Sequence, residues 1–559
     1  MKKNTINYAI LVITLSLASI SCKDQLDVGN PNAPTITANV KTEVGLVSLA
    51  QGGVYINGFK NGDNWLGDSY FSLPWGYQEI MADVVGADAS NNQVSTLGVP
   101  DYYILNGSKV PNTSSSSVDI IHSYNTRAAT GAGNNPIYFQ WLNMYALNSA
   151  CNNILKLVEE IEFSGDAESR RNTIRAWAYW WKGYAYASIG SMYYSGLIMN
   201  EPGIASNEYV LHDVILAESD RNFNLVRTTL DAITSEGDYT ELLGQLIPAF
   251  TQVGRGGVLT RDMWKRNVNT MLARNILFNK LAPFVNGNPA ATISRATISP
   301  MTPADWTTVK NLTSEGIRKS DFIFTGRATG QNDFFTVNGG SVASLTATVN
   351  TSSTFKITER FIQYFNAGDK RLDNNFEMGT EYKNSFTTTT RYSMIDGGAK
   401  EPGVHVYGSL DPNEYELIIA GSYEENALML AEANIRTGNI DAGLALVDEV
   451  RTYFGAGLPA VSGKGLSLSS ALNELVKERR TTLVFRGISY FDSRRYGWIY
   501  DISNGGGSYG NRVVLNDLSV HDNVTINYNF MDYWDLPADE TVLNPPSATS
   551  AAVKNPLYE

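Results

Sequence analysis

Lys477-Glu478-Arg479-Arg480-Thr481-Thr482-Leu483-Val484-Phe485-Arg486-Gly487-Ile488-Ser489-Tyr490-Phe491-Asp492-Ser493-Arg494-Arg495-Tyr496-Gly497 is the stretch on which the fold of this 559-residue chain is read. Leu472, Leu475, Val476 and Leu483 recur at helical spacing, which predicts an apolar stripe with the charges lying off it. Gly487 stands where a left-handed residue would end that helix, with Arg479, Arg480 and Arg486 near its negative dipole end. Asp492, followed by Arg494 and Arg495, predicts a buried or half-buried ion pair bracing the next turn. The segment reads as a charged helical corner that belongs to the scaffold and lies away from any ligand.

Working outward, the strongest repeat signal is Ala427 to Arg451. Ala427, Leu430, Ala431 and Asn434 share one helical face, and Gly438-Asn439-Ile440-Asp441-Ala442-Gly443 turns into a second helix carrying Leu444, Val447 and Val450. Such a helical hairpin, with small residues at its crossing, resembles a tetratricopeptide unit that must stack on neighbours to bury its faces. Helical stripes also run over 44–55, 77–84, 137–162, 170–189, 223–233 and from Trp264, and Ala304-Asp305-Trp306 opens another. Trp177, Trp180, Trp181 and Trp264 lie inside these stripes and read as core, as does Trp306. Between the helices lie polar inserts near 86–135, 281–303, 327–357 and 380–415; the first reads as loop, and 327–357 and 380–415 read as loops and short edge strands. The expected fold is mainly α: tetratricopeptide-like hairpins forming a scaffold, with long irregular loops and a few short strands building a binding face. No Pro- or Ser-rich linker divides 22–559, so that span reads as a single domain.

The N-terminus supplies a location. Lys2 and Lys3 precede an apolar run from Ile10 to Ile20, closed by Ser21-Cys22. That pattern predicts a lipoprotein signal over 1–21, too short to remain as a membrane span, with Cys22 as the lipidated residue. Several acyl chains on one residue hold a protein to a membrane where a single chain holds it only marginally. Ser19 replaces the Leu usual at such sites. Cys151 is the other cysteine; no intramolecular disulfide can then form, and its place in the stripe of Leu147, Ile154 and Val158 predicts a core position.

Composition removes other classes. The net charge is −13 with no basic run, which argues against nucleic acid. His122, His212, His405 and His521 are far apart, and no HExxH, CxxC or EF-hand spacing occurs, so neither a metal nor a cofactor is expected. Gly254-Arg255-Gly256-Gly257 lacks the Lys-Ser/Thr of a phosphate loop, and no GxSxG occurs. The chain does carry 10 Trp, 30 Tyr and 21 Phe against 18% charged residues, an excess that suits stacking on flat, weakly polar ligands.

The order of residue types in 477–497 resembles the signature of the SusD/RagB family of surface nutrient-binding lipoproteins. Other segments are similar to pieces of that family in the expected order: Trp141, Tyr145 and Asn148 to Ile154; Arg175 to Tyr179; Gly190 to Gly196; Asp369-Lys370-Arg371; Leu428 to Glu432; Leu536-Pro537 with Glu540; and Asn555-Pro556. Lys23-Asp24-Gln25-Leu26-Asp27 after Cys22 resembles the surface-export tag of Bacteroidota lipoproteins. The resemblance implies a tetratricopeptide scaffold, an outer-membrane surface location and a SusC-like TonB-dependent transporter as partner. It further implies capture of oligosaccharides through stacked aromatics, or of peptides in RagB-like members, without bond cleavage; a hydrolase and a purely architectural scaffold are the readings from other classes. Ligand residues are not carried by the motifs, so candidates come from the inserts. They are Trp65 and Trp75 before the first, Tyr102 and Tyr103 within it, and Phe334 and Phe335 in the later one, with Asn91, Asn92 and Arg127 as hydroxyl partners.

Overall fold

The computed structural model describes residues 41–56, 74–87, 96–112, 116–126, 136–249, 252, 254–284, 292–325, 355–383, 388–408 and 418–559. Helices dominate it. The first part of the chain carries α1 (Glu43–Gln51, continued by one π turn), α2 (Pro74–Met81), strands β1 (Val85–Ala87), β2 (Tyr102–Leu105) and β3 (Ser108–Pro111), and α3 (Ser117–Tyr124). Next come α4 (Pro136–Leu157), α5 (Ala167–Met192), β4 (Ser195–Gly196), β5 (Val210–Leu211), α6 (His212–Asp231), α7 (Glu236–Leu246), α8 (Arg261–Phe278) and α9 (Pro303–Ser314). They are followed by β6 (Phe355–Ile357), α10 (Glu359–Ile362), α11 (Lys370–Asn375), and the hairpin β7 (Phe376–Lys383) and β8 (Thr389–Met394). The chain closes with α12 (Tyr423–Arg436), α13 (Ile440–Tyr453), α14 (Leu468–Thr482), α15 (Ser489–Arg495), β9 (Ser508–Val514), β10 (Val520–Asn527) and α16 (Ala538–Leu543).

Helices α4, α5, α6, α8, α9, α12, α13 and α14 pack successively into one continuous row, as stacked helical hairpins do. Two glycines permit the closest crossings. A Cβ on Gly183 of α5 would lie 2.7 Å from the Phe223 ring of α6, and one on Gly443 of α13 would lie 2.6 Å from the Ala431 carbonyl of α12. The α12–α13 turn is a Schellman motif: Gly438, at φ +88°, donates its N–H to Ile435 O, and Asn439 donates to Asn434 O at 2.8 Å. One continuous buried core runs from Leu46 to Leu536. At its centre Phe324 stacks on Trp180 at 4.9 Å and meets Trp177, Trp181 and Trp264 at steeper angles. All four tryptophans are fully buried, as their helical phase predicted. So is Cys151, whose thiol is pushed up to about 12 by burial. Among the described residues no helix is long and apolar enough to cross a membrane.

Two small antiparallel sheets sit beside the helical row, with strand orders β1-β6-β8-β7 and β3-β2-β10-β9. They correct the reading of 86–135 as loop. Tyr102-Tyr103-Ile104-Leu105 is a strand closed by Asn106-Gly107, both at positive φ (+48° and +80°), the two-residue turn that twisted hairpins favour. Helix α3 also falls inside that range.

The signature segment departs from its sequence reading in two ways. The charges off the apolar stripe of α14 are buried as well: Glu478, Arg479 and Arg480 are each at most 3% exposed. Helix α14 ends at Thr482, so Gly487 does not cap it. Phe485 and Gly487, at φ +64° and +68°, instead form a tight crossing where a Cβ on Gly487 would lie 2.8 Å from Trp75 of α2. The predicted ion pair is part of a larger network. Arg479 grips Asp492 with two bonds of 3.0 and 2.9 Å, and Arg495 joins Asp492 at 2.7 Å and Glu432 at 2.9 Å. Arg371 bridges Asp369 and Glu478, and Arg451 reaches Glu478 and Glu474. Arg494 pairs with no carboxylate among the described residues; it donates to the carbonyls of Ser191, Phe278 and Asp532. At the other end of the row, Glu540 accepts from Trp141 Nε1 and Tyr209 Oη. Segments that are distant in sequence are thus tied together by charge.

Candidate functional site

An open cleft of about 550 Å³ lies where α14 meets the β9–β10 hairpin and the end of α10. Its volume is within the range of small-ligand sites. The floor is aromatic. Tyr364 follows the last turn of α10, and Trp498 follows Gly497, which closes α15 at φ +83°. The two rings lie nearly parallel, 26° apart with centroids at 6.2 Å. Trp498 is mostly buried, held by its Nε1 donating to Phe284 O at 3.4 Å and by a tilted contact with Tyr496. Tyr509 of β9 forms a third, half-buried ring, its hydroxyl donating to Gly506 O at 2.9 Å.

Polar groups surround these rings. Gln363, Asn473, Lys477, Arg512, Asp522 and Asn523 all line the cleft. The β9–β10 hairpin is irregular here: the register shifts between His521 and Val524 and again before Ile526, while Gly510 and Asn523 take positive φ. Such bulges bend a strand and re-aim its side chains. Gln363 Oε1 accepts the Arg512 backbone N–H at 2.7 Å, which ties the hairpin to α10, and Arg512 Nε reaches Asp522 at 2.8 Å across the hairpin. Lys477 Nζ donates to Asn366 Oδ1 at 2.7 Å.

Arg480 lies beneath the floor. Its guanidinium sits 5.2 Å from the Tyr364 ring centre and 5.6 Å from that of Trp498, within cation–π range. Arg480 Nη2 donates to Ala82 O at 2.7 Å, and Arg480 makes no ion pair among the described residues. Arg480 does not line the cleft itself; it backs two of the rings that do.

Of the residues singled out from the sequence, the described ones, Trp75, Tyr102 and Tyr103, do not line this cleft. Trp75 is buried on α2 and lines a second, more enclosed cavity with Gln78, Gln140, Arg274 and Arg486. The polar groups there are engaged with one another: Gln78 donates to Gln140 at 3.0 Å, Arg274 to Glu425 and Arg486 to Glu424 at 2.6 Å. Tyr102 and Tyr103 lie on β2 and not in a loop; Tyr103 is buried opposite Ile526, and Tyr102 lies under the Lys109 ammonium at 3.9 Å. Trp65, Asn91, Asn92, Arg127, Phe334, Phe335 and Cys22 lie outside the described residues. Sequence reading missed Tyr364, Trp498 and Tyr509. The usable signals were an aromatic directly after the signature glycine and a tyrosine in Asn504-Gly505-Gly506-Gly507-Ser508-Tyr509-Gly510.

No protein-family model and no curated protein sequence matches the chain. Solved structures do, and several are SusD superfamily proteins. A SusD homolog from Bacteroides thetaiotaomicron is similar at a TM-score of 0.49 and 14% identity, over 84% of this chain and 90% of that one. A SusD-like carbohydrate binding protein from Bacteroides vulgatus gives 0.43 and 16%, over 88% and 94%. Surface glycan-binding protein A from Bacteroides uniformis gives 0.46 and 15%, over 80% and 86%.

Proposed function

We propose that this chain is a SusD-like lipoprotein of the outer-membrane surface, anchored through Cys22, that captures oligosaccharides and passes them to a SusC-like TonB-dependent transporter. The observation that carries the ligand class is the cleft floor formed by Tyr364, Trp498 and Tyr509, ringed by amide and charged side chains. A sugar ring presents an apolar face to such a floor and hydroxyls to such a rim, and each stacked ring contributes on the order of 0.5–1.5 kcal/mol by analogy with aromatic pairs. The anchor and the transporter rest on the sequence resemblance and on the Ser21-Cys22 site. The proposed role is binding without cleavage. Asp522 is the one carboxylate among the cleft-lining residues described, whereas glycoside hydrolysis generally uses a pair. Trp65, Phe334 and Phe335 are proposed as additional stacking residues, with Asn91, Asn92 and Arg127 as hydroxyl partners.

The test is titration of the protein with panels of oligosaccharides and peptides. Tyr364→Ala and Tyr509→Ala are expected to weaken oligosaccharide binding about tenfold each with the melting temperature little changed, and the ligand should be recovered intact. Tight peptide binding without glycan binding would move the protein to the RagB-like reading, and cleaved product would overturn the non-enzymatic one. For the anchor, Cys22→Ala should release the protein from the membrane fraction of cells lacking the transporter.

A further inference from the structure

We infer that the cleft selects acidic sugars: its cations are placed to hold a uronic-acid carboxylate while the sugar ring lies on the aromatic floor. This rests on the glycan-binding reading above and narrows it.

The chain as a whole has a net charge of −13, yet the groups in and under this cleft are mainly cationic. Lys477, Arg512 and the buried Arg480 face a single lining carboxylate, Asp522. Lys477 is only partly neutralised locally, by Glu474. Its strong contact is the neutral Asn366 amide, while its nearest carboxylate, Glu474, is 3.9 Å away and already accepts from Arg451 at 2.7 Å. Two N–H donors of the ammonium therefore remain for a ligand. Arg512 spends its Nε on Asp522 and on no other carboxylate among the described residues, so its outer nitrogens keep the fork geometry that suits a carboxylate.

Arg480 acts through the floor. A guanidinium within cation–π range of both Tyr364 and Trp498 draws on their π density, so the two rings repel an electron-rich group less than free rings would. Arg480 makes no ion pair among the described residues, and Glu79, the carboxyl that feels its charge, is itself pushed up by burial. A neutral sugar gains little from this arrangement. A carboxylate set between Lys477 and Arg512 gains charge-assisted bonds, and because both side chains are partly exposed these weaken as salt rises.

The experiment uses the soluble protein starting after Cys22. Oligosaccharides bearing galacturonate, glucuronate, or mannuronate and guluronate are titrated, each beside its carboxyl-reduced neutral counterpart, at about 50 and about 300 mM NaCl. At least one acidic member is expected to bind about tenfold or more tighter than its reduced form, and to weaken several-fold at the higher salt. Lys477→Gln and Arg512→Gln should each weaken that member about five- to tenfold and flatten its salt dependence, with the melting temperature held because both side chains are partly exposed. Reduced forms binding as well as acidic ones would overturn the inference and leave the glycan reading standing. Acidic binding that neither substitution weakens would also overturn it, since the carboxylate would then sit elsewhere. Binding of no member, acidic or neutral, would remove both readings together.

Discussion

Asp492, Glu432 and Glu478 show how buried charge is tolerated in this fold. Burial alone would raise each carboxyl; Arg479 and Arg495 outweigh it at Asp492, Arg495 at Glu432, and Arg371 with Arg451 at Glu478, so all three are held below their ordinary values. Stability from such groups is complete above the unfolded carboxylate range and is lost as pH falls through their folded values. Glu79 behaves oppositely. Burial raises it to about 7, a rise opposed by hydrogen bonding to Ser489, by the charge of Arg480 and by the Gly487 N–H. The folded protein then keeps a proton that the unfolded chain has released above about pH 4.5, so stability should fall as pH rises toward and through 7. A shift of that size corresponds to on the order of 3 kcal/mol. Buried His212 and His405, held low by burial, tilt stability the other way as pH rises toward 6.5 in both proteins, so from pH 5 to 8 the melting temperature of the natural protein should fall relative to that of Glu79→Gln; equal slopes in the two would remove Glu79 as the cause.

At the scale of elements, the helices were legible because period-3.6 apolar stripes survive in long segments, as in α5, α8 and α12 to α14. Helix α7 was not, since Gly237, Asp238 and Gly244 interrupt its pattern; only Tyr239, Leu242, Leu243 and Leu246 show its buried side. The short strands β2 and β3 were lost inside a polar insert although Asn106-Gly107 marked their turn. Glycine carries two opposite meanings in these helices, and substitution separates them. Gly443→Ala adds helix propensity but drives a Cβ to within 2.6 Å of the Ala431 carbonyl, so α12 and α13 must part; a loss of about 1–3 kcal/mol is expected. Gly237→Ala meets nothing within 4 Å and should gain up to about 1 kcal/mol. Denaturant midpoints report both signs, and a stabilising Gly443→Ala would mean that the hairpin crossing is looser than described.

For the whole molecule, scaffold and cleft were unequally readable. The scaffold motifs converge in space because each contributes a partner to a buried contact: Arg371 joins Asp369 to Glu478, Glu432 meets Arg495, and Glu540 meets Trp141. The cleft is assembled from Tyr364, α14, Trp498 and β9–β10; Tyr364 stands more than a hundred residues before the other three and meets them only by folding. Tyr364 in Arg360-Phe361-Ile362-Gln363-Tyr364-Phe365 reads locally as more apolar helix, and nothing in the sequence reports that the helix stops at Ile362. Aromatic residues therefore divide by role in a way that one pair of variants can expose. Trp180→Ala empties a site packed by Phe223, Trp264 and Phe324, and should cost about 3–5 kcal/mol of stability. Tyr509→Ala removes a half-buried ring from the edge of the cleft and should leave stability within about 1 kcal/mol while weakening oligosaccharide binding. Chemical denaturation and ligand titration on the same two proteins give four numbers. If Tyr509→Ala unfolds as readily as Trp180→Ala, or binds as well as the natural chain, the aromatic floor is part of the scaffold and the ligand surface lies elsewhere.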